Sequence, residues 1–402
     1  VYQSKINVIA NPEVEVVDIL EAKFNINNTT VTSTLTNNVT SATYCVSEGN
    51  ICEPTTSATI SNHSYTIDLE ESETEKIVCT RLNGTSKIIC SSPFIPQEPS
   101  AADIILAGKD IQTRSDFSTI VSGNTTGIIY QANDGDGTTY YFAGNPTDNW
   151  VQFAGFYWRI IRINGDGTIR LIYNGTSTET TGEGTQIGTS AFNTSINRSE
   201  YVGLKYTAGE QHGNTADSSI MDTLNSWYSS TLTSYASYID QNAGFCGDRN
   251  MVSGYNWSSQ PSSDIYYAAY ERLYTNKTPS LECSSSDLFT VTGASKGNVS
   301  LTNPIGLITA DEVAMAGGVY NQTNNGYYLS TGQNYWTMTP YYFFKNGYAR
   351  VFFVFSDGNL NHTFVNMSDV SHEYGVRPVI NLRTDVQLSG SGTSSDPYTV
   401  TD

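Results

Sequence analysis

Positive charge is what this 402-residue chain has least of. It carries 20 Lys and Arg against 39 Asp and Glu, a formal net charge of −19. Nucleic acid and anionic membranes both require basic patches that neutralise phosphate, so this balance excludes them as partners. Histidine is scarce too. His63, His212, His362 and His372 are scattered, and none forms an H-E-x-x-H metal motif. No Walker-type glycine loop occurs, which removes the commonest nucleotide signature. Long apolar runs are also lacking. No stretch approaches the roughly 20 residues of a spanning helix, so no membrane insertion is expected of this chain. The first residues lack the charged and apolar regions of a secretory leader, and Val1 reads as the start of a processed mature chain or of a trimmed piece.

Six cysteines are present, at Cys45, Cys52, Cys79, Cys90, Cys246 and Cys283, and no pair has the C-x-x-C spacing of a zinc or redox site. Nearest-neighbour pairing joins Cys45 to Cys52, Cys79 to Cys90 and Cys246 to Cys283, one of about fifteen connectivities. Buried, reduced cysteines are the alternative. Bridges imply an oxidising, extracellular compartment. Asn-x-Ser/Thr sequons are numerous, and Asn28, Asn83, Asn124, Asn174, Asn276 and Asn361 are candidate glycan carriers, although a chain so rich in Asn, Ser and Thr produces many by chance.

The first hundred residues read as all-β: short β-branched segments near 15–19, 30–35, 64–69, 76–79 and 87–90 alternate with polar turns, and Asn83-Gly84 is a hairpin signal. This is the pattern of a small sandwich over 14–94, similar in architecture to an immunoglobulin-like module. The arm before it, 1–13, contains a β-favouring stretch at Ile6, Val8 and Ile9. It is expected either to pair within its own subunit or to act as a donor strand that drives self-assembly. Prolines at Pro93, Pro96 and Pro99 place a linker at 95–101.

From 102 to 402 the pattern becomes α+β. Residues 151–175 read as strands joined by the Asn164–Gly167 turn, with Arg159, Arg162 and Arg170 among apolar positions. Ile220, Leu224, Trp227, Tyr228, Leu232, Tyr235 and Ile239 recur every three or four residues, which predicts a core-packing helix capped by Asp217. A second, shorter helix is announced by the capping box Thr309-Ala310-Asp311-Glu312 and stops at Gly317-Gly318. The most unusual stretch is the last, where NYWTMTP leads into aromatic strands. It suits a binding surface, with Trp336, Tyr341, Tyr342, Tyr348, Asn359 and Asn361 as candidate ligand contacts.

The series WRIIRINGDGTIRLI, AGFCGDRN, YERLYTNKTP, PIGLITADEVAMAGG, NYWTMTP and GVRPVINL, ending in GSGTSSDPYTV, resembles a large group of mostly uncharacterised exported proteins of Gram-positive, gut-type bacteria. The same region is similar to the C-type-lectin-like fold shared with formylglycine-generating enzymes and with the variable receptors of diversity-generating retroelements. That resemblance implies a structural anchor at Arg377 and displayed loops at 341–347 and 356–373. The cysteines match no motif of the oxidative enzymes.

Two kinds of chemistry remain to be weighed. Asn133-Asp134-Gly135-Asp136-Gly137-Thr138 spaces oxygens like the first half of a calcium loop, with Asp134 and Asp136 as ligands, but the distal Glu is missing and a plain Asp-Gly turn, the favoured reading, explains it without metal. Acidic pairs such as Asp134/Asp136 and Asp311/Glu312 also raise the reading of a monomeric secreted carbohydrate-active enzyme, which needs carboxylates converging beside Trp336 or Tyr348, with Asp357 and Asp369 to be tested. The expected architecture is therefore mainly β with α+β, an immunoglobulin-like sandwich followed by a C-type-lectin-like domain. The expected function is a non-enzymatic extracellular adhesin or pilus-like filament subunit that binds glycan or a host or bacterial surface protein.

Overall fold

The computed structural model describes residues 20–293, 296–361 and 369–401. The 1–13 arm, the strand expected at 15–19 and part of the 356–373 loop lie outside the described residues. The chain is mainly β and separates into two compact units, Val1–Pro99 and Ser100–Asp402.

In the first unit, β1 (Ala22–Asn27), β2 (Thr30–Leu35) and β5 (Ser64–Asp68) form one sheet. The other is β4 (Thr56–Ser57), β3 (Ala42–Glu48), β6 (Lys76–Leu82) and β7 (Ile88–Cys90), in that order. Alternation does the work expected of half-buried strands: Val31 and Leu35 of β2 and Tyr65 and Ile67 of β5 point inward onto Val78 and Leu82 of β6. Asn83 and Gly84 both take positive φ, 47° and 67°, as a tight hairpin requires. The Asn83 side chain also accepts from Thr40 N and Ser41 N, tying this hairpin to the approach to β3. Disulfides join Cys45 to Cys52 and Cys79 to Cys90, two of the nearest-neighbour pairs. The segment after β7 is less of a free linker than its prolines imply, since Phe94 pairs with Lys76 and Pro96 O accepts from Ser72 N.

Ser100 opens the second unit as the N-cap of α1 (Ala101–Leu106), its hydroxyl accepting from Asp103 N while the Asp103 carboxylate accepts from Ser100 N. A nine-stranded sheet follows. β8 (Asp110–Thr113), β9 (Ile128–Asn133), β10 (Thr138–Tyr141), β11 (Trp150–Phe153), β12 (Phe156–Ile163) and β13 (Ile169–Gly175) are completed from the far end of the chain, by Val379–Leu382 beside β13, Tyr398–Thr401 parallel to β11, and Gln387–Ser389 at the edge beside Tyr398–Thr401. A six-stranded sheet centres on Tyr335–Phe344, flanked by Tyr348–Val354, Glu373–Gly375 and Ile265–Tyr266.

Helix α2 (Ser219–Thr231) buries Ile220, Leu224 and Tyr228, as its periodicity predicts. Its N-cap is Ser218 rather than Asp217, because Asp217 is drawn into a short ladder where its carboxylate meets Lys205. Cys246 and Cys283 form the third disulfide.

Arginine fills much of this core. Arg159, Arg170, Arg249 and Arg377 are each under 2 % exposed. Arg377 donates to Tyr173 O and the Asn174 amide oxygen and lies over the Tyr335 ring, a structural placement. Arg249 is held by Asp287. A chain of ions joins the rest: Asp134 to Arg162 (2.6 Å), Arg162 to Glu312 (3.0 Å) and Glu312 to Arg170 (2.6 Å). Glu312 is also the N3 residue of α4 (Ala310–Met315), where it completes the capping box with Thr309.

Burial pushes the Glu312 carboxyl up, but Arg170 and Arg162 more than offset it and hold it below the usual 4.5. A depressed folded-state value means that this stability is present above 4.5 and is lost as pH falls through the folded value. Glu312→Gln, which leaves two guanidinium groups short of a counter-charge, is expected to cost about 3–5 kcal/mol at neutral pH. Urea unfolding should also show the variant losing less of its remaining stability than the native chain below about pH 4.5.

Candidate functional site

The aromatic run predicted to display a ligand surface is mostly core. Trp336 is 2 % and Tyr341 4 % exposed, and Asn361 is buried at 2 %. The reason is position: Tyr335–Phe344 is the central strand of its sheet and is covered on both faces, so it reads as a continuous apolar run instead of alternating. Trp336 packs on Phe192, Phe353 and Tyr374, and its indole N–H donates to Ser190 O. Tyr348 and Asn359 are half-buried.

Tyr342 is half-buried as well. It sits where Ile265–Tyr266 pairs onto the strand, directly opposite Tyr266, and the two rings stack at 5.5 Å.

From Tyr266 a ladder of rings extends outward. Alternation along the short strand turns Ile265 and Tyr267 inward and leaves Tyr266 half-buried. The chain then enters helix α3 (Ala268–Tyr270), which widens into a π-helical turn, Glu271–Asn276, closed by Lys277 in the left-handed region at φ 53°. Spacing of four places Tyr266, Tyr270 and Tyr274 in succession, with centroids 4.4 Å and 5.1 Å apart. Tyr255 adds an edge contact to Tyr266 at 5.4 Å. Tyr255 is 40 % and Tyr274 45 % exposed, while Tyr266, Tyr270 and Tyr342 are half-buried.

Buried Tyr320 and Tyr341 floor the ladder. Cations edge it: Arg350 lies 5.1 Å over Tyr342, and Lys277 lies 5.3 Å from Tyr320 and 5.8 Å from Tyr274. Burial raises the phenols of Tyr266, Tyr270 and Tyr342, so they stay protonated and able to donate. Tyr255, Tyr266, Tyr270 and Tyr274 were absent from the residues singled out in the sequence. The signal was there in DIYYAAYERLYTN, where tyrosines recur at 266, 267, 270 and 274.

The opposite face of the same helical turn is an anchor. Arg272 reaches Asp248 at 2.6 Å and Asp311 at 2.8 Å, and Asp311 also accepts from Ser280 N. These ions line a small polar cavity of about 50 Å³. A separate cavity of about 370 Å³, which shares Arg162 and Glu282 with it, is lined by Asp134, Asp136, Asn164 and Lys296, among others. The larger cavity does not leave its carboxylates to a metal. Asp134 accepts from Arg162, Gly165 N and Asp136 N, and Asp136 meets Lys296 at 3.1 Å, so calcium at Asp134 and Asp136 would have to displace a guanidinium and an ammonium.

Asp357 and Asp369 hold local turns, accepting from Thr323 and Asn359 N and from Ser371 respectively. Among the described residues, three cysteine sulfurs, of Cys45, Cys52 and Cys79, are the one grouping with metal-ligand proximity, and they are engaged in disulfides.

No family model, curated protein or solved structure matches the chain. The reading of the site therefore rests on its own geometry.

Two of the glycan-carrier candidates are buried in the folded chain. Asn174, 2 % exposed, donates to Glu179 O and accepts from Arg377, and Asn361 is buried in a strand pairing with Phe353, so neither amide is presented to an attaching enzyme in the folded chain. Asn83, Asn124 and Asn276 are exposed and Asn28 is half-buried in a turn. Asn276 closes the turn that bears Tyr274.

One guanidinium serving both Asp248 and Asp311 has a pH consequence. Burial is the largest influence on the Asp248 carboxyl, 14 % exposed, and outweighs Arg272, raising it from 3.8 to about 6. A raised folded-state value means that its contribution to stability is complete below 3.8 and is lost as pH rises through about 6. Thermal unfolding of the native chain and of Asp248→Asn across this interval should show the native chain losing stability relative to the variant as pH rises; parallel curves would refute the assignment.

Proposed function

We propose that this is an extracellular bacterial surface protein that binds glycans on the tyrosine ladder of its second unit, as an adhesin or as the repeating subunit of a surface filament. The observation that carries the reading is the ladder itself: five partly exposed tyrosines in mutual contact on a rigid, ion-anchored turn. Aromatic faces take up the C–H faces of sugar rings, while phenol hydroxyls and flanking cations meet their hydroxyls and oxygens. Tyrosine also costs little conformational entropy on binding, which suits the same surface to protein epitopes.

Other features support the setting. Three disulfides fit an oxidising compartment, and among the described residues no helix is long and apolar enough to cross a membrane. In the first unit, β1-β2-β5 and β4-β3-β6-β7 share one core, which supports an immunoglobulin-like sandwich. In the second, the pairing of the last strand with β11 and the buried Arg377 favour the C-type-lectin-like reading. The ordered motifs favour membership of the exported gut-type group. The carbohydrate-active enzyme draws less support, because Asp134, Asp311 and Glu312 are each held by a guanidinium.

Screening the full chain on a glycan array, followed by calorimetry on the best ligand, tests the proposal. Tyr266→Ala and Tyr270→Ala should each weaken binding about tenfold or more, by analogy with stacked-ring losses of 1–3 kcal/mol. Tyr274→Ala should leave stability within about 0.5 kcal/mol, whereas Trp336→Ala should cost about 3–5 kcal/mol. Binding to proteins alone would replace the glycan reading; unchanged affinity in both variants would remove the ladder from it. Turnover of a bound glycan, lost in Asp357→Asn or Asp369→Asn, would establish the enzyme instead. For the filament, negative-stain microscopy of the full chain should reveal fibres that vanish on deletion of residues 1–13, and single particles in both samples would leave a monomeric adhesin.

A further inference from the structure

The outer face of the β4-β3-β6-β7 sheet carries more sulfur than two independent staples need. Cys45 on β3 is directly opposite Cys79 on β6, and Cys79 is directly opposite Cys90 on β7, so three cysteines form one row across three adjacent strands. Opposed residues point to the same face, which gives Cys79 two neighbours of equal standing. It is bonded to Cys90, while Cys45 turns outward to Cys52. Even so, the sulfurs of Cys45, Cys52 and Cys79 all lie within 4.8 Å of one another. Cys79 is fully buried; Cys45, Cys52 and Cys90 are half-buried and reachable from solvent.

We propose that this row is a thiol–disulfide exchange centre whose substrate is a thiolate, either a small-molecule thiol or the active cysteine of a dithiol oxidoreductase. The incoming thiolate attacks the Cys90 sulfur, the S–S bond to Cys79 breaks, and Cys79 leaves as a thiolate while Cys90 is held in a mixed disulfide. Released under the second bridge, the Cys79 thiolate attacks Cys45, which forms Cys45–Cys79 and expels Cys52 as a thiolate. Cys52 then attacks the Cys90 sulfur of the mixed disulfide, forming Cys52–Cys90 and returning the original thiolate. Two disulfides enter and two leave, with no net oxidation. The exchange moves the covalent tie from the β6–β7 hairpin to the β3–β6 pair. It does not depend on what the tyrosine ladder binds.

The test is a disulfide map of the full native chain after incubation with catalytic glutathione at mildly alkaline pH, quenched with acid, alkylated and digested without reduction. A Cys45–Cys79 peptide should rise at least about tenfold over the untreated control while Cys246–Cys283 stays intact. Retention of only the original pairs would overturn the proposal, and so would scrambling that also recruits Cys246 or Cys283. Cys90→Ser supplies a second measurement: its odd thiol should be shared among Cys45, Cys52 and Cys79, and a free thiol found wholly on Cys79 would refute the relay.

Discussion

A guanidinium that leaves water must have its donors and its charge met inside, most strongly by a carboxylate, and much of the second unit is organised around that constraint. Glu312 stands at the centre, accepting from Arg162 and Arg170 while its second oxygen closes the capping box of α4. One residue thus joins the consecutive strands β12 and β13 to α4, whose Glu312 lies 150 positions beyond Arg162, and any one of them displaced would leave a charge uncompensated in the interior. The same logic recurs at Arg272, which draws the tyrosine-bearing turn onto Asp248 and Asp311, and at Arg249 with Asp287. Scarce cations in an acidic chain are spent inside, which leaves the surface more negative still.

That arrangement gives the partly exposed tyrosines a buried, ion-paired base. Inward, the turn is held by Arg272 and by buried Leu273; outward, it offers Tyr270 and Tyr274. A π-helical turn widens the backbone and brings consecutive rings into contact instead of splaying them around a tighter helix. A ring whose neighbours already restrain it loses little freedom when a ligand stacks on it, and this links the ionic interior to the binding reading.

Some of the structure was legible because its signals are local. The Thr309 capping box, the Asn83-Gly84 hairpin and the stripe of α2 each depend on a few consecutive residues, and each is present. Nearest-neighbour disulfides belong to the same class, since a short loop brings its ends together at small entropic cost. Trp336 and Tyr341 were misjudged because an aromatic run looks the same whether it lines a surface or fills a central strand. The choice depends on which strands lie beside it, and Glu373–Gly375 and Tyr348–Val354 come later in the chain.

Composition, charge and cysteine spacing by themselves determined that this is a disulfide-bonded, acidic, mainly β chain, because those properties follow from residue types and short-range order. Only the tertiary structure decided that Arg162 would pair with Asp134, that Cys45, Cys79 and Cys90 would share one row, and that Tyr255, Tyr266, Tyr270, Tyr274 and Tyr342 would meet in one array. Each depends on register between distant strands, which is set by how whole sheets bury their faces and not by any segment read alone.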